Sequence, residues 1–363
     1  MKKVRRARNL IAVIFAAVFL LAGCGQSSTD STKSSEKSQQ KVITDAAGQK
    51  VKVPAKIDKI ADAWPAHNEM VTMLGAGNKI VSTISTPQSV PWLYKVNPQM
   101  KSAVTDFTNE NVNTEEVLKT KPDILFMPIN SKTAGKVKEL GIPTVQLSFT
   151  DFDSMKKTVK LTGEILGGDS VKRADKYVSY LDSKLKMVTD VTSKIPDSQK
   201  PKVLHIISFS PLTVDGKNTI IDSWIKAAGG INVASEITGN MKVTSTEQIL
   251  KWNPDVIILG SNTLTDAKSA IKSVDQLTQN STWSQINAVK NKKVYTNPTG
   301  AFLWDRYGAE EALQIQWAAK TLYPDKFKNL DMIKETRNFY KTFLNYDLTE
   351  EEANKIINDK NPD

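Results

Sequence analysis

The sequence predicts an α/β protein of two Rossmann-like lobes with largely parallel sheets, joined by one long α-helix, with a ligand cleft between the lobes. Three observations carry this. Short apolar runs alternate with amphipathic stretches along the body of the chain. The phrase "TEEVLKTKPDILFM" (114–127) returns without a gap as "TEQILKWNPDVIIL" (246–259), an offset of 132 residues. Between the two copies, from about Asp169 to Ser193, apolar side chains step by three and four.

The N-terminus reads as a leader. Lys2, Lys3, Arg5, Arg6 and Arg8 precede an apolar run from Leu10 to Leu21, followed by "LAGC" ending at Cys24. Basic residues, a short apolar stretch and small residues make a secretory signal, and the cysteine at the cut makes it a lipobox. The run is shorter than the roughly 20 residues a bilayer-spanning helix needs. Cleavage leaves Cys24 as a lipidated terminus, which anchors the protein on the extracytoplasmic face of the cell membrane. Residues 25–40, "GQSSTDSTKSSEKSQQ", lack the apolar side chains for a core and read as a flexible tether.

The resulting division is 1–23 signal peptide, 24–40 lipidated tether, 41–160 first lobe, 161–196 linking helix region and 197–363 second lobe. About 320 folded residues exceed what one core usually holds. The chain carries +10, five of those charges precede Cys24, and the rest are mixed with acids, which speaks against a nucleic-acid surface. Cys24 is the only cysteine, so the body has no disulfide and no cysteine nucleophile.

In the first lobe, "NEMVTMLGAG" (68–77) reads as a helix with Asn68 as N-cap and glycine at its end. "KIVSTI" (79–84), "DILFMP" (123–128) and "TVQLSF" (144–149) read as strands. The linking helix shows a stripe of Val171, Ala174, Val178, Leu181, Leu185 and Val188, and about 25 residues give a rod of roughly 37 Å. In the second lobe, "KVLHIIS" (202–208), "DVIILGS" (255–261) and "KKVYTN" (292–297) repeat the strand scheme, and "SWIKAAGG" (223–230) is a helix closed by glycines.

Ligands of open α/β sheets collect beyond the carboxyl ends of the strands. The loops there hold Trp64, His67 and Asn68, then Trp92 and Tyr94, then Asn130 and Phe149. From the second half come Phe209, Asn262, Phe302, Trp304, Arg306 and Tyr307. Aromatics with one arginine suit a bulky ligand bearing negative charge. His67, in a loop, could reach a ligand or a metal, whereas His205 in the middle of a strand reads as a buried, satisfied side chain. With two histidines in all, a dedicated site for a bare metal ion is not expected. No nucleophile elbow, P-loop, zincin or dinucleotide fingerprint is present, so the sequence does not read as an enzyme and implies no cofactor.

With these features together, the chain resembles the ABC-transporter substrate-binding lipoproteins, and within them the group that captures ferric siderophores, haem or cobalamin. "HNEMVTMLGAGNKIV", "IIDSWIKAAGGINVASE" and "GAFLWDRYGAEEALQIQWAAKTLYPDKF" carry the resemblance, with Glu69 at the matching glutamate of the first phrase. It implies a monomer that delivers its ligand to an ABC permease dimer driven by a cytoplasmic ATPase. It also implies that Glu115 and Glu247 lie on the tops of the two lobes and meet arginines of the two permease subunits. "WPAHNE" and "SVPWLYK" match no single ligand class. A ferric siderophore would use Arg306 and the aromatics, haem would gain from an axial His67 or Met70, and a corrinoid stays open. A surface sensor or adhesion lipoprotein is the reading from a different class.

Overall fold

The computed structural model describes residues 40–363 apart from 262, 266, 267 and 270. The leader, Cys24 and the expected tether up to residue 39 lie outside the described residues, as does Asn262.

The first lobe opens with an antiparallel hairpin, β1 (Gln40–Thr44) and β2 (Lys50–Pro54). It continues through β3 (Ile60–Asp62), α1 (Pro65–Met73), β4 (Ile80–Thr83), α2 (Pro91–Val96), β5 (Val104–Thr105) and α3 (Thr114–Thr120). Then come β6 (Ile124–Pro128), α4 (Ala134–Lys138), β7 (Thr144–Leu147) and α5 (Phe152–Leu166). The sheet order is β5-β4-β3-β6-β7 and every pairing is parallel. Helix α6 (Asp169–Thr192) leads to β8 (Lys202–Phe209), β9 (Leu212–Val214), α7 (Ile220–Ala227), β10 (Ile231–Asn232), β11 (Lys242–Val243) and α8 (Thr246–Trp252). The chain ends through β12 (Val256–Leu259), α9 (Val274–Gln279), α10 (Asn287–Lys290), β13 (Val294–Thr296), α11 (Glu311–Leu322), α12 (Met332–Phe339) and α13 (Glu350–Ile357).

The second sheet is mixed. Strands β10, β12 and β13 extend it in parallel from β8, but β9 returns antiparallel on β8 and carries β11 antiparallel beyond it. Only Ser210 and Pro211 separate β8 from β9. So short a link permits a hairpin and nothing else, because a parallel return needs a crossover of a dozen or more residues.

Period-two alternation decides which core each strand residue enters. Ile124 and Phe126 join a core that runs through both lobes, and Leu125 and Met127 join a small one outside the first sheet. Likewise Val256 and Ile258 enter the shared core while Ile257 and Leu259 enter a cluster with Trp283. The shared core makes residues 40–363 a single compact unit.

Helix α6 is the strut the sequence anticipates, 24 residues or about 36 Å long. Near its start Ser170 Oγ and Arg173 Nε donate to the carbonyls of Leu74 and Met73 at the end of α1. Near its end Thr192 Oγ1 donates to the carbonyl of Ala227 on α7. Val171 departs from the stripe and is exposed. The first-lobe helix also starts earlier than expected. Pro65, whose fixed φ suits a first helical position, opens α1. Asn68 is therefore buried inside the helix, donating to the carbonyl of Asp62 and accepting from Thr83, and is not an N-cap.

The doubled phrase folds twice in the same way. Each copy is a seven-residue helix capped by a polar side chain, Asn113 or Ser245, and each ends in a left-handed residue, Lys121 or Asn253. The aspartate of each "PD" pins the start of the neighbouring strand: Asp123 Oδ2 accepts from the N–H groups of Asp58 and Lys59, and Asp255 Oδ2 from that of Lys202. Val117 and Ile249 fill the buried face.

The chain beyond α12 does not stay with the second lobe. Trp92 Nε1 donates to the carbonyl of Lys360 at 2.9 Å, and Lys95 pairs with Glu352 at 2.8 Å, so the C-terminal segment lies against α2 of the first lobe. Thr299, after β13, also binds it, donating to Asp359.

Candidate ligand-binding cleft

A cavity of about 540 Å³ opens between the two sheets at the carboxyl ends of their strands. The first lobe contributes Trp64 after β3, Ile129 after β6, and Ser148 and Phe149 after β7. The second contributes Asn218 and Thr219 before α7, Asn240 and Met241 before β11, and Phe302, Arg306 and Tyr307 after β13. The Phe149 ring packs 5.6 Å from Trp64 and edge-on to Tyr307 at 5.4 Å, so an aromatic wall crosses from one lobe to the other. Tyr307 holds φ +60°, a left-handed conformation uncommon for a side chain of this size, and its N–H donates to Glu311 Oε1 at 3.1 Å. A second cavity of about 560 Å³, lined by Ile207, Pro211, Thr213 and Ser261, adjoins it and shares Met241.

Arg306 is anchored from beneath. Its NH2 lies 3.0 Å from Asp215 Oδ2, which also meets His205 Nδ1 at 2.8 Å. His205 Nε2 approaches Asp305 Oδ2 at 2.9 Å without hydrogen-bond alignment, an ion contact more than a hydrogen bond. Burial works against the His205 imidazolium, but Asp215 and Asp305 outweigh it and its pKa is raised. Burial likewise opposes the Asp215 carboxylate, yet His205 and Arg306 hold its pKa below the ordinary value.

Behind the cleft lie three buried glutamates. Glu69 Oε2 accepts from the N–H of Ala309, and Glu310 accepts from Trp304 Nε1, Tyr340 Oη and the N–H of Phe302. Burial pushes Glu69 and Glu311 well above the usual range and takes Glu310 to about 7.

Of the residues expected at the cleft, Trp64, Phe149, Phe302, Arg306 and Tyr307 line it. Five others do not. His67 is fully buried in α1, with Nδ1 on Asp62 at 2.8 Å and Nε2 on Thr162 at 3.1 Å, so both ring nitrogens are engaged within the first lobe. Asn68 is buried beside it. Trp92 packs under the C-terminal segment, Tyr94 Oη donates to the carbonyl of Ser85, and Trp304 is turned inward onto Glu310. These side chains follow strand ends in sequence, but each belongs to a helix or turn whose inner face it supplies. A sixth, Phe209, packs edge-on to Trp283. Asp215, Asn218, Thr219, Asn240 and Met241 were not singled out from the sequence. The turns "VDGKN" and "TGNMK" were the available signal, and the structure gives Asn218 and Met241 positive φ there. Among the described residues, no group of three or more His, Cys, Asp or Glu is placed to hold a metal ion.

The family profile described as periplasmic binding protein matches residues 60–300. The chain belongs to the periplasmic binding protein family. Among its relatives is the Bacillus subtilis ABC transporter substrate-binding lipoprotein YvrC, itself uncharacterized, 30% identical over 89% of this chain and 99% of that protein. The molybdate-binding protein MolA of Haemophilus influenzae is 26% identical over 84% of this chain and 90% of that protein. A periplasmic solute binding protein from Veillonella parvula has a similar structure, with TM-score 0.71, 32% identity and coverage of 88% of this chain and 97% of that one. This periplasmic binding protein therefore has relatives that are solute-binding proteins of ABC importers, YvrC among them named a lipoprotein. Among the described residues no helix is long and apolar enough to cross a membrane.

Proposed function

We propose that this protein captures a ferric chelate, foremost a ferric siderophore, outside the membrane and delivers it to an ABC permease dimer. The observation that carries the reading is the cleft of about 540 Å³ walled by Trp64, Phe149, Phe302 and Tyr307 with Arg306 at its edge. That volume suits a drug-sized organic ligand, and aromatic walls favour a bulky, planar-faceted one. Haem held by an axial His67 or Met70 loses its support, since both side chains are fully buried in α1. A corrinoid fits the aromatic walls less specifically.

A second reading, a small oxyanion such as molybdate, is favoured by one observation. Asn218, Asn240 and Arg306, all from the second lobe, line the cleft with side chains that carry N–H donors. MolA, whose name carries that ligand, is a relative. Tryptophan-fluorescence titration of the soluble domain against ferric siderophores, haemin, cobalamin, molybdate and free metal ions separates these. A saturable change with a ferric siderophore supports the first reading, and a response to molybdate alone replaces it with the second.

Docking follows from the doubled phrase. Glu115 and Glu247 stand exposed in the first turn of matching helices, one per lobe. A two-fold permease dimer presents the same surface twice, and a monomer can meet it only by offering an acidic feature on each lobe. Glu115 is 79% exposed and its pairing with Lys119 on the same helix leaves it available.

A further inference from the structure

Arg306 is the single charged side chain among the residues lining the cleft. It does not stand there as a free cation. Its NH2 lies 3.0 Å from Asp215 and its Nε 3.8 Å from Asp305, and both carboxylates are fully buried. His205 bridges the same two aspartates from the other side. Arg306 and His205 thus face two buried carboxylates in a closed quartet, and Trp224 packs edge-on to the His205 ring at 5.7 Å. Asp215 is the hub: its second oxygen, Oδ1, accepts from the N–H of Met241 at 2.8 Å, holding the lip residue that borders both cavities.

We propose that Asp215 determines the charge preference of the cleft, cancelling Arg306 so that the site recognises ligands by N–H donation without net positive charge. Removing the ion pair's partner inside so dry a setting would leave a field that water cannot screen away. The cleft as built therefore prefers a ferric chelate of little net charge, such as a trihydroxamate, over a polyanionic tris-catecholate. Lys242, which follows the lining residue Met241 but does not itself line the cleft, is exposed and screened by solvent. The ligand part of this inference rests on the ferric-chelate reading above, whereas the charge state of the cleft does not.

The test reads the two separately. Trp64 and Trp252 are the tryptophans that are not buried, so a Trp252→Phe background makes Trp64 the reporter of the cleft. Quenching of Trp64 by iodide and by caesium is compared at constant ionic strength. The proposal expects the two quenchers to act within about twofold of each other in the parent, with iodide gaining about threefold in Asp215→Asn. Arg306→Gln carries the test even where Asp215→Asn does not fold. Loss of a compensated cation tips the balance toward caesium, whereas loss of a bare cation only returns an iodide-favouring cleft to parity. A parent that strongly favours iodide, or a ratio that neither substitution moves, overturns the role of Asp215. In parallel, a ferric trihydroxamate and a ferric tris-catecholate are titrated. The parent should favour the former, and Asp215→Asn should shift the ratio toward the latter by about tenfold. If neither chelate binds, the chelate reading falls while the quenching ratio still judges Asp215.

Discussion

Glu69 on α1 accepts a hydrogen bond from the backbone N–H of Ala309 at 2.7 Å, so a carboxyl of the first lobe closes a turn of the second. The approach is tight enough that a Cβ at residue 308 would come within 2.5 Å of Glu69 Oε2, which requires the glycine found there. Tyr177 Oη on the strut donates to the carbonyl of the same Ala309. Both lobes and α6 therefore meet at one residue behind the cleft.

This junction makes stability pH-dependent. A carboxyl whose folded pKa is raised stabilises the fold fully below its ordinary pKa, and that contribution is lost as pH rises through the folded value. For Glu310 the window runs from 4.5 to about 7. The loss across it is on the order of 3 kcal/mol. Glu69 is raised in the same direction by burial and by Glu310. Glu69→Gln, a neutral isostere, should therefore lose less Tm between about pH 5 and pH 8 than the parent. An equal or steeper fall in calorimetry would show that Glu69 is ionised in the folded protein.

The aromatic residues divide into two groups that a ligand titration separates. Trp64→Ala and Tyr307→Ala should weaken ligand binding about tenfold, the scale of a lost aromatic contact, with little change in Tm. Trp92→Phe and Trp304→Phe should do the reverse, because each loses its indole hydrogen bond, part-buried for Trp92 and buried for Trp304, and neither lines the cleft. Reduced affinity in the second pair with unchanged Tm would mean that the cleft extends where the structure shows packing.

The aspartates of the doubled phrase hold strand starts, and the glutamates do not. Asp123→Ala and Asp255→Ala should each destabilise by about 0.5–1.5 kcal/mol in urea unfolding, the net worth of a hydrogen bond whose N–H groups water can reach. No change in the unfolding midpoint would mean that the strand starts hold without them.

Glu115→Ala combined with Glu247→Ala should leave ligand affinity unchanged and Tm nearly so, since exposed pairs are worth about 0–1 kcal/mol. Uptake into cells should drop severalfold and become less sensitive to salt. Full uptake in that double variant would leave the two glutamates as helix N-terminal charges favoured by the dipole alone.

Cys24→Ser should release the protein from membranes with its melting behaviour intact. Protein that still sediments with membranes after a salt wash would refute the lipobox reading.

The sequence by itself determined the architecture and its repetition. The unbroken apolar runs in "DILFM" and "DVIIL" are local information, and so are the Pro-Asp turns, the stripe on α6 and the glycine after α1. Each acts through neighbours a few residues away, where propensity and periodicity are decisive. Only the tertiary structure decided which side chains face the cleft. Trp92 follows a strand end as Trp64 does, yet the C-terminal segment, 268 residues further on, covers it. His67 looked like a loop ligand until Pro65 drew it into α1 and set it between Asp62 and Thr162, which is 95 residues away. Arg306 reads in the sequence as the cation for a ligand bearing negative charge, and Asp215, 91 residues before it, pairs with it at 3.0 Å. Burial and charge compensation depend on partners distant in sequence, so nothing in the local pattern around these residues could register them.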